Sequence, residues 1–161
     1  MKKISVYLWQ ILTPVIIVVS IDQVSKYLAI ENLELGQETT FRLVPLVSFR
    51  LALNTGINFG VFSTEERAFR YLLIAILSSI GLALLGSAFS ASTLQKRVGL
   101  AIAAGGAFGN VIDRLTYGAV IDFLSISCCG ISNPWSFNVA DIAIFFGLGL
   151  FLFKRQVDQA L

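Results

Sequence analysis

From Tyr71 to Gln95 no side chain carries a formal charge. A helix of about 20 mostly apolar residues matches the hydrocarbon thickness of a bilayer, so this run is predicted to cross one. Three other segments are nearly as apolar, and the expected spans are approximately 6–29, 71–92, 98–113 and 138–153. With 56% hydrophobic and 14% charged residues in 161, the chain lies outside the range of soluble globular domains and is predicted to be a single integral membrane domain. Pro14 falls inside the first span, where membrane helices tolerate it. Lys2-Lys3 ahead of an apolar run imitates a secretory signal, but no small-x-small cleavage site follows, so the segment is expected to be retained.

The third span is rich in small residues, among them Gly99, Ala103, Gly105, Gly106 and Gly109. Small side chains let helices approach closely in lipid, which predicts that this helix sits at the centre of the bundle. Between the first two spans, approximately 31–70 is polar enough to be an extramembrane insert. Within it Phe41, Leu43, Val47, Phe49, Leu51 and Leu53 share one parity while Arg42, Ser48 and Arg50 share the other, the period of a half-buried strand. Asn54-Thr55-Gly56 then reads as a turn, and Asn54 by itself is adequately explained as a turn residue. The expected fold is an α-helical membrane protein with four transmembrane helices and a small extracytoplasmic sheet.

Lys2-Lys3, Lys96-Arg97 and Lys154-Arg155 fall on one side of a four-span chain, which predicts cytoplasmic termini. Asp22, Asp113, Asp122 and Asp141, from separate segments, then converge on the outer face. Carboxylates are costly in so apolar a chain unless something requires them. Each also has a plain structural reading. Asp22 and Lys26, four apart, can pair along one helix face, and Asp141 at the start of the fourth span suits the helix dipole. Taken together, Asp122 in the β-prone run Ala119–Leu124 and Asp141 could face one another across a folded-back loop. Two close carboxylates share a proton near neutrality, the arrangement that activates water in aspartic peptidases.

Several classes are excluded or disfavoured. There is no histidine, which removes Ser-His and Cys-His nucleophiles and histidine-ligated zinc. Cys128 and Cys129 are adjacent, without metal-ligand spacing, and read as packing residues. A net charge of +2 with dispersed basic pairs gives no nucleic-acid footprint. An ion-coupled transporter would place its acids near mid-bilayer within internal repeats, and no repeat is visible. A Ser/Lys peptidase would have only Ser25 beside Lys26, and adjacent helical residues point apart. A purely structural bundle leaves the four acids unexplained.

Five blocks in order resemble the lipoprotein signal peptidase family, also called signal peptidase II, the bacterial aspartic peptidases of the inner membrane. They are Asp22-Gln23-Val24-Ser25-Lys26, Asn54-Thr55-Gly56-Ile57-Asn58-Phe59, Gly105 to Arg114, Val120-Ile121-Asp122-Phe123, and Phe137-Asn138-Val139-Ala140-Asp141. The resemblance implies a catalytic dyad of Asp122 and Asp141. It implies substrate-backbone contacts from Asn54, Asn110 and Arg114, and support of the site by Asp22, Lys26, Gly56, Asp113 and Asn138. It further implies a β-cradle and a periplasmic helix, for which Thr64 to Arg70 is a candidate. The implied substrate is a prolipoprotein cut before its diacylglyceryl-modified cysteine, by a monomer without metal or cofactor, at the periplasmic face of the inner membrane. Where many members carry two alanines in the second block, this chain has Ile57 and Asn58.

Overall fold

The computed structural model describes residues 2–33, 38–39, 47–56, 67–126 and 135–153. The expectations placed on Phe41, Leu43, Ile57-Asn58, Thr64 to Glu66, Cys128-Cys129 and Lys154-Arg155 lie outside the described residues. The elements run α1 (Lys2–Asn32), β1 (Glu38–Thr39), β2 (Val47–Asn54), α2 (Arg67–Ser90), α3 (Leu94–Thr116), β3 (Val120–Ile126) and α4 (Val139–Leu152). Among the described residues α1, α2 and α3 are long and apolar enough to cross a membrane, and α4 is a shorter apolar helix.

The side-chain sizes written into α3 decide the packing. Of its most apolar window 72% is buried, against 11% in α1 and 17% in α2, so α3 is the axis on which the other helices pack. Its small residues permit that contact. A Cβ on Gly99 would lie 2.7 Å from the Gly147 carbonyl oxygen of α4, and one on Gly106 would strike the Ala140 carbonyl oxygen. The outward faces of α1, α2 and α4 carry exposed Ile, Leu, Val and Phe side chains, the surface a hydrocarbon solvent requires.

Polar contacts pin the helices at one end. Arg97 of α3 is buried, its Nη1 donates to Gln10 Oε1 at 2.7 Å, its Nη2 donates to the Ala91 carbonyl at 2.9 Å, and its guanidinium lies 3.7 Å from the Tyr7 ring centre. Gln95 Nε2 donates to the Leu150 and Phe153 carbonyls, which the end of α4 leaves without helical donors. The opposite end is held by the acidic residues described below.

The sheet has the order β1-β2-β3, antiparallel throughout. The β-prone run around Asp122 is β3, and it pairs with β2 across a large sequence separation: Val47 faces Ile126, Phe49 faces Leu124, Ala52 faces Asp122 and Asn54 faces Val120. The even alternation read from sequence fails in the middle of β2. The register shifts between Phe49 and Ala52, and beyond that point the faces exchange, so Leu53 is 52% exposed while Asn54 is buried. A bulge adds one residue to one strand and thereby turns every later side chain over. Gly118, at φ +82° in the turn from α3 into β3, meets Arg70 on its open side.

Gly106→Ala is expected to lower the thermal unfolding midpoint in detergent by the equivalent of about 1–3 kcal/mol, because a backbone oxygen occupies the Cβ position. Gly149→Ala, where nothing lies within 4 Å, is expected to leave it unchanged or raise it. Equal effects in the two variants would contradict the close α3–α4 contact.

Candidate active site

The blocks singled out in the sequence lie on α1, β2, α3, β3 and α4, and they meet at the end of the bundle where the sheet sits. The helix α1 brings Asp22, Gln23 and Lys26, three polar residues on adjacent turns, all but Gln23 fully buried. Lys26 Nζ lies 2.8 Å from Asp22 Oδ2, as the four-residue spacing predicts, but also 2.7 Å from Asp113 Oδ2 of α3. Two carboxylates therefore share one ammonium. Their remaining oxygens receive neutral donors: Asp22 Oδ1 accepts from the Ala140 amide at 2.8 Å and Asp113 Oδ1 from Gln23 Nε2 at 2.8 Å, while Asp113 Oδ2 accepts from the Ile121 amide at 3.1 Å as well as facing Lys26. In this way one cluster fastens α1 and α3 to the first turn of α4 and to β3.

Gln23 was assigned no role from sequence. Its Nε2 reaches Asp22 Oδ2, Asp113 Oδ1 and the Gly109 carbonyl, tying both acids together. The signal was its place between Asp22 and Lys26 in an otherwise apolar helix, where an amide needs partners as much as a charge does. Gly109 admits the arrangement, since a Cβ there would stand 2.5 Å from Asp22 Oδ2.

The second pair of acids is built differently. Asp122, 3% exposed on β3, accepts from Asn54 Nδ2 at 3.1 Å and from Asn138 Nδ2 at 2.7 Å. Asp141, 8% exposed in the first turn of α4, accepts from Asn110 Nδ2 at 3.0 Å and from the Asn138 backbone amide at 3.3 Å. Among the described residues neither makes an ion pair, in contrast to Asp22 and Asp113. The four convergent acids thus divide into a pair neutralised by a lysine and a pair held only by amides.

The amides that hold the second pair have their orientation fixed from behind. Asn138 is the N-cap of α4, and its Oδ1 accepts from the Asp141 amide at 3.0 Å while Asp141 Oδ2 accepts from the Asn138 amide, a reciprocal capping box. With its oxygen used, Asn138 must turn Nδ2 toward Asp122 and toward Asn110 Oδ1, 3.2 Å away. Asn110 Oδ1 also accepts from Lys26 Nζ at 3.1 Å, which turns Nδ2 of Asn110 toward Asp141. Asn54 is both a turn residue and a site residue: Oδ1 accepts from the Gly56 amide at 3.1 Å, and Nδ2 faces Asp122. Arg114 Nη2 donates to the Gly56 carbonyl at 2.6 Å and Nη1 to the Asn110 carbonyl at 3.3 Å, joining that turn to α3.

Burial pushes the Asp122 carboxyl up to about 7, with the Asp141 charge adding to the rise and the Asn54 and Asn138 amides and the Lys26 charge opposing it. A carboxyl so placed keeps its proton near neutrality beside another carboxylate, the condition for acid and base to coexist in one pair. Every oxygen of the two carboxyls that has a described partner faces an N–H, so the surroundings suit an anion with a proton more than a cation. The chemistry available is general acid and general base on one bound water.

Because the folded Asp122 holds a proton that the unfolded chain releases at about 3.8, stability from this group is complete below that value and is lost as pH rises to about 7. Asp122→Asn is therefore expected to gain on the wild type by a few kcal/mol between about pH 4 and 8 in detergent thermal unfolding, above any constant offset from the altered amide contacts. A pH-independent difference would contradict the raised value. Lys26→Met, which strands two buried carboxylates, is expected to destabilise by about 3–5 kcal/mol in the same assay.

Comparison with known proteins places these residues in a wider set. The sequence profile of a family described as signal peptidase (SPase) II matches residues 14–156. A lipoprotein signal peptidase of Rhodopseudomonas palustris is 36% identical over 145 residues, covering 88% of each chain. One from Coxiella burnetii is 36% identical over 149 residues, covering 89% of this chain and 88% of that one. One from Thermodesulfovibrio yellowstonii is 34% identical over 151 residues, covering 94% and 97%. Among solved structures, a bacterial membrane enzyme determined by the in meso method at 2.3 Å superposes with a TM-score of 0.72 at 26% identity, over 86% of this chain and 82% of that one.

Proposed function

The chain belongs to the signal peptidase II family, and from that premise we propose that Asp122 and Asp141 are a water-activating dyad that removes signal peptides from diacylglyceryl-modified prolipoproteins, cutting before the modified cysteine. The observation that carries the dyad is the pair of buried carboxyls without ion-pair partners among the described residues, one of them raised to about 7. The apolar helices suit a membrane protease whose substrates are themselves membrane-anchored.

Asp122 carries the shared proton and Asp141 is ionised. Asp141 takes a proton from water as the water oxygen attacks the scissile carbonyl carbon, and Asp122 gives its proton to the carbonyl oxygen. The tetrahedral diol then collapses: the carbon–nitrogen bond breaks, the cysteine nitrogen takes the proton held by Asp141, and a diol hydroxyl returns one to Asp122. Both carboxyls end as they began. Asn54 and Asn110, which bond the two carboxyls, and Arg114, which bonds the Gly56 and Asn110 carbonyls, are the groups that hold the substrate backbone. Asp22, Lys26, Gly56, Asp113 and Asn138 keep the site in shape. The enzyme acts as a monomer in the bacterial inner membrane, with both termini cytoplasmic and the dyad toward the periplasm, the orientation the basic pairs favour.

The test is cleavage of a diacylglyceryl-modified prolipoprotein by purified protein in detergent with EDTA present. Asp122→Asn and Asp141→Asn are each expected to lower turnover by about a thousandfold or more while the protein stays folded. Turnover at the wild-type level in either variant would sink the dyad. In the wild type, kcat/KM is expected to fall on the alkaline side through about 7, as Asp122 loses the proton it donates.

A further inference from the structure

Three side-chain amides touch the acidic pair, and they are wired differently. Asn54 and Asn138 give their Nδ2 groups to Asp122, and the oxygen of each is taken by a neutral backbone N–H, that of Gly56 for Asn54 and that of Asp141 for Asn138. Asn110 gives its Nδ2 to Asp141 at 3.0 Å, while its oxygen accepts from the Lys26 ammonium at 3.1 Å and from Asn138 Nδ2 at 3.2 Å. Of the three amide oxygens, only that of Asn110 rests on a charge.

A hydrogen bond from an ammonium polarises the amide that accepts it, and the N–H at the other end becomes a stronger donor. From Lys26 Nζ through Asn110 to Asp141 Oδ1 each donor points away from the cation. A strengthened donor at the end of that chain favours a carboxylate over a carboxylic acid. The secondary structure acts in the same sense. Asp141 lies in the first turn of α4, where the helix dipole favours an anion, whereas Asp122 lies on β3, and a strand has no comparable dipole.

The other charged groups around the pair leave this asymmetry in place. Asp22 on α1 and Asp113 on α3 are both bound to Lys26. Arg114 of α3 donates to the Gly56 and Asn110 carbonyls rather than to either carboxyl, and β2 meets the pair with the neutral Asn54. We propose that Lys26 is a positioning residue of the reaction: acting through Asn110, it makes Asp141 rather than Asp122 the carboxylate that takes the proton from water. Its part then exceeds fastening α1 to α3, because it decides which acid starts as the base. This rests on the dyad proposed above.

Two variants cut the chain at different points. Asn110→Ala removes its middle and leaves the ion cluster whole. The double variant Asp22→Asn/Lys26→Met removes its start together with one charge of each sign, so the cluster keeps its net charge and Asp113 keeps its bonds from Gln23 and the Ile121 amide. In each, kcat/KM for a diacylglyceryl-modified prolipoprotein is measured against pH in one detergent. The acidic limb reports protonation of the base and the alkaline limb loss of the acid's proton. Taking a donor from a carboxylate favours its protonated form, so the acidic limb is expected to move toward neutral pH by about one pH unit, a tenfold loss at the acid edge, in both variants. The alkaline limb is expected to move less. Turnover that falls while both limbs stay in place would make Lys26 a structural residue alone and overturn the proposal. So would movement of the alkaline limb only, which would put the influence of Lys26 on Asp122. Failure of the dyad itself shows separately, as cleavage retained by Asp122→Asn or Asp141→Asn.

Discussion

One ammonium group organises the polar end of this molecule. Lys26 Nζ touches Asp22, Asp113 and Asn110, and through them fixes three helices relative to one another. Buried ion pairs are poor sources of net stability, because desolvation offsets most of the attraction, but they are intolerant of rearrangement. In a bilayer that intolerance is greater still, since no water is at hand to solvate a displaced charge. The cluster therefore specifies an arrangement more than it strengthens one. What it specifies is the direction in which the Asn110 amide presents its N–H to Asp141.

The apolar packing and the polar cluster divide the work between them. Small residues of α3 let α4 come close enough for Ala140 to give its amide to Asp22, and the absence of a Cβ at Gly109 leaves space for that carboxylate. Packing sets the distance between helices, while hydrogen bonds set rotation and height. Either alone would leave Asp141 free to turn away from Asp122. The capping box at the start of α4 removes the last freedom, because the side chain that caps the helix also bonds Asp122.

Much of this was legible in the sequence, and the failures have physical reasons. The Asp22–Lys26 pair follows from helical spacing alone. The centrality of α3 follows from its glycines and alanines. The participation of Asp113 in the same cluster does not, because it depends on how two helices rotate about their axes, which no local period records. The strand period was only partly readable: Ser48 is already buried where alternation would expose it, and the bulge beyond Phe49 exchanges the faces and buries Asn54 as well. The pairing of β2 with β3 is equally hidden, since the two strands are separated by α2 and α3. Asn138-Val139-Ala140-Asp141 carried a readable sign of reciprocal capping, yet the dipole argument accounts for Asp141 without it. Gln23 escaped notice because a neutral amide raises no alarm in a composition count, although burial constrains it nearly as tightly as a charge.

The dispersal of the site along the chain bears on how the protein is made. Asp22 and Lys26 enter the bilayer in α1 as a pair that can neutralise itself, whereas Asp113 comes two helices later and the Ala140 amide and Asp141 only with α4. During synthesis the growing chain holds a lysine with a single acid, then a cluster without its last donor, and reaches the described geometry only when α4 docks on α3. Until then neither the Asn138 amide nor Asp141 stands beside Asp122 and Asn110. Distribution of one site over three helices and a sheet makes the docking of α4 the step that completes it.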